Sequence, residues 1–252
     1  MTVAERRARF RALHEAGCFV IPNPWDAGSA VRLHRLGFEA LASSSAGAAW
    51  TLGRQDGELS LHEVLAHLRM LCAATPLPVN ADFEAGFADA PEGVAANVQL
   101  AAATGVAAVS IEDRTGSELY DLPLAVARIG AARAALDRLA PDVMLVGRTE
   151  GYLVGRTDVA ATIERLRAYA AAGADILFPP GVVDMGEVRS VVAAVAPRPV
   201  NIVLRPTQSV AELAAVGVRR VSVGGGLAKV AWAAFDAAAL ELKRNGVLSA
   251  RT

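Results

Sequence analysis

Residues 79–87 read VNADFEAGF. Val79, Asn80 and Ala81 make a short extended run that stops at Asp82 and Glu84, set two apart and followed by Gly86. An apolar run that leaves a core and ends in charge is typical of parallel α/β proteins, whose polar groups gather beyond the C-terminal ends of the strands.

The same pattern repeats outward from this stretch. Extended runs occupy Cys18–Pro22, Ala40–Ser43, Pro78–Asp82, Ala107–Glu112, Val143–Arg148, Asp175–Phe178, Val200–Leu204 and Arg220–Val223. Segments of helical period lie between them, clearest at Leu61–Ala73, Val94–Thr104, Pro123–Leu139, Asp158–Ala172, Val210–Val216 and Leu227–Lys243. About eight strands alternating with helices in roughly 250 residues is the pattern of a (β/α)8 TIM barrel. Residues 1–252 are therefore expected to form a single barrel domain, since no Pro/Ser-rich linker divides them. A doubly wound open sheet uses the same alternation, but no GxGxxG joins the first strand to its helix, and eight strands suit closure better.

Composition narrows the function. Lys plus Arg number 25 against 26 Asp plus Glu, which leaves no basic excess for nucleic acid or an acidic membrane surface. Hydrophobic residues make up 53% of the chain, but its apolar stretches are short and interrupted by charge, so none is expected to span a bilayer. The opening MTVAERRARFRALHEAG is a charged helical pattern without the apolar block of a secretory signal, and a cytoplasmic location is expected. Cys18 and Cys72 have no CxxC or His/Cys spacing and are read as small core residues. The lysines are Lys229 and Lys243, both in the last helical segment, which argues against a Schiff base at a strand end.

The residues just past each strand are mostly polar. The strand ends carry Asn23, Trp25 and Asp26; then Ser43, Ser44 and Ser45; Asp82 and Glu84; Glu112 and Asp113; Arg148 and Glu150; and finally Arg205 and Gly224–Gly226. Carboxylates brought to one mouth repel unless a cation neutralises them, and an oxygen-only cluster favours Mg²⁺ or Mn²⁺. Asp82, Glu84 and Glu112 are accordingly the expected metal ligands or water-mediated supports. Each acid could instead cap a helix or pair with Arg148. Trp25, Asn201 and Arg205 are further candidates for substrate contact. His14, His34, His62 and His67 fall in the helical segments, so a histidine base or histidine-held metal is not expected. The VSVGGG run permits a tight turn or a close backbone approach to phosphate.

These residues together resemble the isocitrate lyase and phosphoenolpyruvate mutase superfamily over nearly the whole chain. The phrases that carry the likeness, in order, are IPNPWDAGSA, SSSAGAAWTLGRQDG, NADFEAGF, VSIEDR, LVGRTEGY, ADILFPPG and VRRVSVGGGLAK. The resemblance implies a barrel enzyme that binds Mg²⁺ and a 2-oxo acid, and makes or breaks a bond beside the carbonyl through an enolate. It places Asp82 and Glu84 at the family's DxD pair, Glu112 at the glutamate of its IED motif, and Asp56 in the metal's water shell. It implies that Ser43, Ser44 and Ser45 hold the substrate carboxylate, and that Arg148 contacts the oxo acid and its developing charge. Arg148, Glu112 and Asp56 are thus the expected catalytic set.

The departures are equally specific. Family members that cleave isocitrate or methylisocitrate carry a KxCGH loop where this chain reads IEDRTGSELYDLP, without cysteine or lysine. The longer lysine- and asparagine-containing gate of mutases and phosphonopyruvate hydrolases is also missing there. Pro180 of FPPG replaces the glutamate of an FPE motif, and Glu84 replaces an aspartate. The nearby polar candidates for proton transfer are Arg114, Glu118 and Tyr120.

The expected function is a Mg²⁺-dependent lyase on a small 2-oxo acid or its adduct, by retro-aldol cleavage or oxaloacetate-type decarboxylation. Phosphorus–carbon chemistry on a phosphonopyruvate-like substrate and non-catalytic 2-oxo acid binding are the alternatives. The segment LAKVAWAAFDAAALEL is apolar around most of its circumference, more than one buried face needs. Superfamily members exchange their last helix between subunits, so a homo-oligomer, dimer or tetramer, with an exchanged C-terminal helix is expected.

Overall fold

The computed structural model describes residues 1–249. Its core strands are β1 (Phe19–Ile21), β2 (Leu41–Ala42), β3 (Val79–Asp82), β4 (Ala108–Glu112), β7 (Met144–Arg148), β8 (Ile176–Phe178), β9 (Asn201–Val203) and β10 (Arg220–Ser222). Each lies inside a run expected from sequence. A small antiparallel hairpin, β5 (Arg114–Thr115) and β6 (Glu118–Leu119), was not foreseen; Gly116, with φ 60, makes its turn. The core strands form two parallel sheets, of order β2-β3-β4-β7-β8 and β1-β10-β9. At one margin a bridge joins Leu177 to Val200, and at the other the Ala42 amide donates to the Pro22 carbonyl at 3.1 Å. The sheet is therefore strongly curled.

The helices are α1 (Val3–Ala12), α2 (Ala27–Arg35), α3 (Ser45–Thr51), α4 (Leu61–Ala74), α5 (Pro91–Ala102), α6 (Leu122–Leu139), α7 (Val159–Ala171), α8 (Met185–Val195), α9 (Val210–Ala215) and α10 (Gly226–Asn245). Local sequence starts several of them. Thr2 with Glu5, Ser60 with Glu63 and Ser209 with Glu212 form reciprocal caps, and Asp121, Asp158 and Asp184 accept from the first-turn amides. Helices α2, α3 and α8 lie outside the helical segments expected from sequence.

Two apolar layers result from the alternation along the strands. Outward residues such as Val79, Ala81, Val109 and Leu145 pack on the helices. Inward residues Phe19, Ile21, Ala108, Met144, Val146 and Ile176 form a second cluster, joined by Phe10 of α1. His14 lies in a turn after α1, contrary to the expected helical position, and is buried edge-on against Phe10 and Phe19. Cys72 is buried, Cys18 is half-buried, and both are free.

Helix α10 differs from the others. Of its residues only Ala228 is buried, while Val230, Phe235, Leu240 and Leu242 are exposed. Among the described residues, no helix is long and apolar enough to cross a membrane.

Candidate active site

Strand β3 carries Asp82 to the polar end of the sheet, and the chain turns at once. Glu84 (φ 47) and Phe87 (φ 56) take the left-handed conformation, uncommon for residues other than glycine. Arg128 of α6 holds this turn: its buried guanidinium donates to the carbonyls of Ala85, Ala88 and Asp89 and stacks on the Tyr120 ring. Sequence gave no sign of that role.

Arg148, at the end of β7, reaches across β4. Its Nη1 lies 3.1 Å from Asp82 Oδ1, its Nη2 3.2 Å from Glu112 Oε2, and its Nε 2.5 Å from Glu150 Oε1. Asp82 Oδ2 accepts from the Ser45 amide at 3.0 Å, and Ser43 Oγ accepts from the Asp82 amide at 2.8 Å. Ser44 caps α3 by accepting from the Gly47 amide. The serine run is thus a strand-to-helix turn fastened to Asp82.

A second buried acid fixes the strand ends from behind. Asp113 accepts from Thr149 Oγ1, the Glu150 amide, Tyr169 Oη and Arg165 Nη1. Glu150 is only 1% exposed and faces Arg148. It stood among the strand-end residues, but no motif singled it out.

Three carboxylates, Asp82, Glu112 and Glu150, pair with one guanidinium, and Glu84 is buried near them without a pair. Burial pushes Glu84 up to about 7, helped by the charges of Asp82 and Asp56. Burial also raises Glu112, with Glu150, Asp82 and Glu84 adding to the shift and Arg148 opposing it. Arg148 itself is held above its ordinary value by Glu112, Glu150 and Asp82, which outweigh its desolvation.

These strand ends surround a cavity of about 830 Å³. Ser43, Ser44, Ser45, Asp56, Asp82 and Arg148 line it. Asn201 and Arg205 line it from the opposite sheet. Glu112 and Glu84 do not reach its wall, Glu112 being turned onto Arg148. Trp25, expected at the mouth, also lies outside the wall: its carbonyl accepts from His67 Nε2 at 2.9 Å, and its side chain packs beside Gly47. Gly224, Gly225 and Gly226 line the cavity, and at Gly225 a Cβ would come within 2.8 Å of the Trp50 ring. The glycine there admits an indole to the cavity wall.

The proton-transfer candidates turn elsewhere. Arg114 is exposed, Glu118 pairs with Arg156 at 2.9 Å, and the Tyr120 hydroxyl donates to Asp89. None of the three lines the cavity, whereas Pro180 does.

Among the described residues no group of three or more His, Cys, Asp or Glu side chains is arranged to hold a metal ion. Arg148 stands in the middle of the acids and separates them. Glu84 Oε1 is nevertheless buried without a hydrogen-bond partner, and the acids outnumber the guanidinium. Mg²⁺ keeps several waters and takes only one or two carboxylates. The donor set therefore fits a hydrated hard ion at Asp82 and Asp56 on the cavity wall, with Glu84 an unpaired acid buried behind them, rather than an all-protein cage.

Comparison with known proteins shows the family. The family model for phosphoenolpyruvate phosphomutase matches residues 10–243. A crystal structure of a lyase/mutase-type protein from Burkholderia cenocepacia is similar with a TM-score of 0.94 and 47% identity, over 98% of this chain and 91% of that one. The 2-methylisocitrate lyase of Salmonella typhimurium is 33% identical over 176 residues, 65% of this chain and 58% of that enzyme. An oxaloacetate decarboxylase of Pseudomonas aeruginosa is 33% identical over 196 residues, 74% of this chain and 67% of that enzyme.

Proposed function

The chain belongs to the phosphoenolpyruvate mutase family, within the isocitrate lyase and phosphoenolpyruvate mutase superfamily, and on that premise we propose that it is a divalent-metal-dependent lyase acting on a small 2-oxo acid or its adduct. The bond broken is the carbon–carbon bond beside the carbonyl, and the product is released through an enolate. The reaction is retro-aldol cleavage or decarboxylation of an oxaloacetate-type acid. The observation that carries the proposal is that Arg148 and Asp82 face the cavity together. Decarboxylation asks least of the protein, because no base must first remove an alcohol proton, and Arg114, Glu118 and Tyr120 all lie away from the cavity.

In this reading Asp82 and Asp56, with Glu84 buried behind them, would hold Mg²⁺ or Mn²⁺, which would supply Lewis-acid stabilisation of the oxyanion. Arg148 adds a positive charge on the same side, held in place by its three ion pairs so that its position costs no reorganisation. Glu112 and Glu150 orient that guanidinium from behind. The hydroxyls of Ser43 and Ser44 accept from protein amides and keep their own protons to donate to the substrate carboxylate. Asn201 and Arg205 face the substrate from the other sheet. The two sheets are taken as arcs of one (β/α)8 barrel, and α10, with its exposed apolar face, as the helix exchanged between subunits.

The test is titration of pyruvate, oxaloacetate and 2-oxoglutarate into the protein with Mg²⁺ and with chelator, following oxaloacetate loss in parallel. Metal-dependent binding with turnover is expected. Absence of any metal-dependent binding would make Asp82, Glu84 and Glu112 structural and end the proposal. Efficient cleavage of isocitrate or methylisocitrate would overturn the discounting of those substrates. One further reading is favoured by Arg205 and the Gly224–Gly226 turn at the start of α10, which suit a phosphonate; release of phosphate from phosphonopyruvate would select it.

A further inference from the structure

Below the ring of acids the cavity has a floor of a different kind. Arg220, on β10, lines the cavity and is 2% exposed. Its Nε donates to Asn201 Oδ1 at 2.9 Å and its Nη1 to Asn80 Oδ1 at 3.2 Å. Both partners are neutral amides. Among the described residues no carboxylate pairs with Arg220, and its Nη2 has no protein acceptor. Burial alone lowers its pKa, to about 9, so it stays charged at neutral pH. An uncompensated guanidinium inside a protein costs free energy, and natural sites of this kind are paired or bind an anion.

A second side chain points the same way. Ser110, on β4, also lines the cavity and is 4% exposed, yet its hydroxyl has no hydrogen-bond partner. A hydroxyl and a guanidinium that face one cavity, both short of acceptors, are complementary to a carboxylate. The other cations on the wall differ: Arg205 is part-exposed and Lys229 exposed, so water can satisfy them.

Depth fixes which carboxylate this is. Asn80 stands two residues before Asp82 on β3, so the Arg220 guanidinium sits roughly 6.6 Å below the acid ring, from a rise of about 3.3 Å per residue. That is on the scale of a small diacid with one end at the ring. We propose that a floor formed by Arg220, Asn80 and Asn201, with Ser110 on the wall above it in register with Asp82, binds a second carboxylate of the substrate, one that is retained through the reaction. Retention follows from the chemistry: a departing carboxylate must give up its charge to leave as CO₂, and a guanidinium on it opposes that loss. The substrate class is thus a 2-oxo acid, or an adduct of one, that carries a further carboxylate on the part not cleaved, which favours retro-aldol cleavage of such an adduct over loss of the second carboxylate of oxaloacetate itself. The inference rests on the 2-oxo acid reading above.

The test compares 2-oxoglutarate with 2-oxopentanoate, which has the same carbon chain but lacks the distal carboxylate, by calorimetric titration in the presence of Mg²⁺. The intact protein should bind the diacid at least about tenfold more tightly, the scale of a hydrogen bond to a charged group. Arg220→Met should bring the ratio near one, and Ser110→Ala should lower it a few-fold. Equal binding of both acids by the intact protein overturns the inference and leaves the 2-oxo acid reading standing. A ratio that survives Arg220→Met, or that is lost instead in Arg205→Met, moves the second carboxylate to the rim and also overturns it. If neither acid binds, the 2-oxo acid reading falls and this inference with it.

Discussion

Arg148 Nη1 and Asp82 Oδ1 stand 3.1 Å apart although their strands are not neighbours, β4 lying between them. The guanidinium bridges three strand ends, those of β3, β4 and β7, and so combines a structural task with its proposed electrostatic one.

Arg148→Lys should separate the two tasks. Lysine keeps the charge but not the planar fork that reaches Asp82, Glu112 and Glu150 in three directions. Turnover of the substrate found by titration should fall about 10²–10³-fold in kcat/KM, as for removal of one oxyanion donor. Arg148→Met, which also strands the acids, should add a lowered melting midpoint. Unchanged kinetics in both variants would remove Arg148 from the reaction.

Asp113 is predicted to be the strongest stability determinant behind the site. Its carboxylate takes four donors from Thr149, Glu150, Arg165 and Tyr169. Asp113→Ala leaves those groups buried without an acceptor and should cost about 3–5 kcal/mol. Tyr169→Phe removes one donor and should cost about 1 kcal/mol. Urea unfolding midpoints measure both, and a cost for Asp113→Ala below that for Tyr169→Phe would refute the assignment.

His14 gives the fold a defined acid limit. Burial, with the Arg220 charge adding to it, lowers His14 from 6.5 to about 3, so the folded state holds it neutral. The unfolded chain binds the proton more readily below pH 6.5, and stability is lost as pH falls from there towards 3. By pH 5 the loss should reach about 2 kcal/mol, at about 1.4 kcal/mol per pH unit. In His14→Phe this part of the acid limb should flatten. Stability profiles of the two proteins that run parallel between pH 6.5 and 4 would refute the linkage.

The exposed face of α10 should mediate assembly. Val230 and Phe235 are 68% and 62% exposed, a large apolar surface for an isolated chain. Sedimentation should give a dimer or tetramer for the natural sequence, and a smaller species after Val230→Glu with Phe235→Glu. A monomer for the natural sequence would rule out exchange of this helix.

Sequence alone determined the eight core strands and their polar ends, because apolar alternation and the residue that stops each run are local properties. VNADFEAGF and VSIED announced where charge would gather, and the seven family phrases fixed the family. Local pattern also announced the helix capped by Ser60 with Glu63, but not α2, which has the same reciprocal cap at Asp26 and Ser29. It missed α3, a short run rich in Ala and Gly, whose start depends on the Ser44 cap.

Only the tertiary structure decided how the charges are arranged. The three acids read as metal ligands or water-mediated supports, with pairing to Arg148 as the alternative; strand register sets Glu112 beside Arg148, which pairs with both Glu112 and Asp82. Trp25 read as a mouth residue, but it packs beside Gly47, away from the cavity wall. Arg220 sat unremarked in VRRVSV, because a guanidinium on a strand usually faces solvent. Its inward direction follows from the alternation along β10, and its missing counter-charge from what the neighbouring strands place around it. Pairing, burial and orphaned donors are properties of side chains distant in sequence, and the fold alone brings them together.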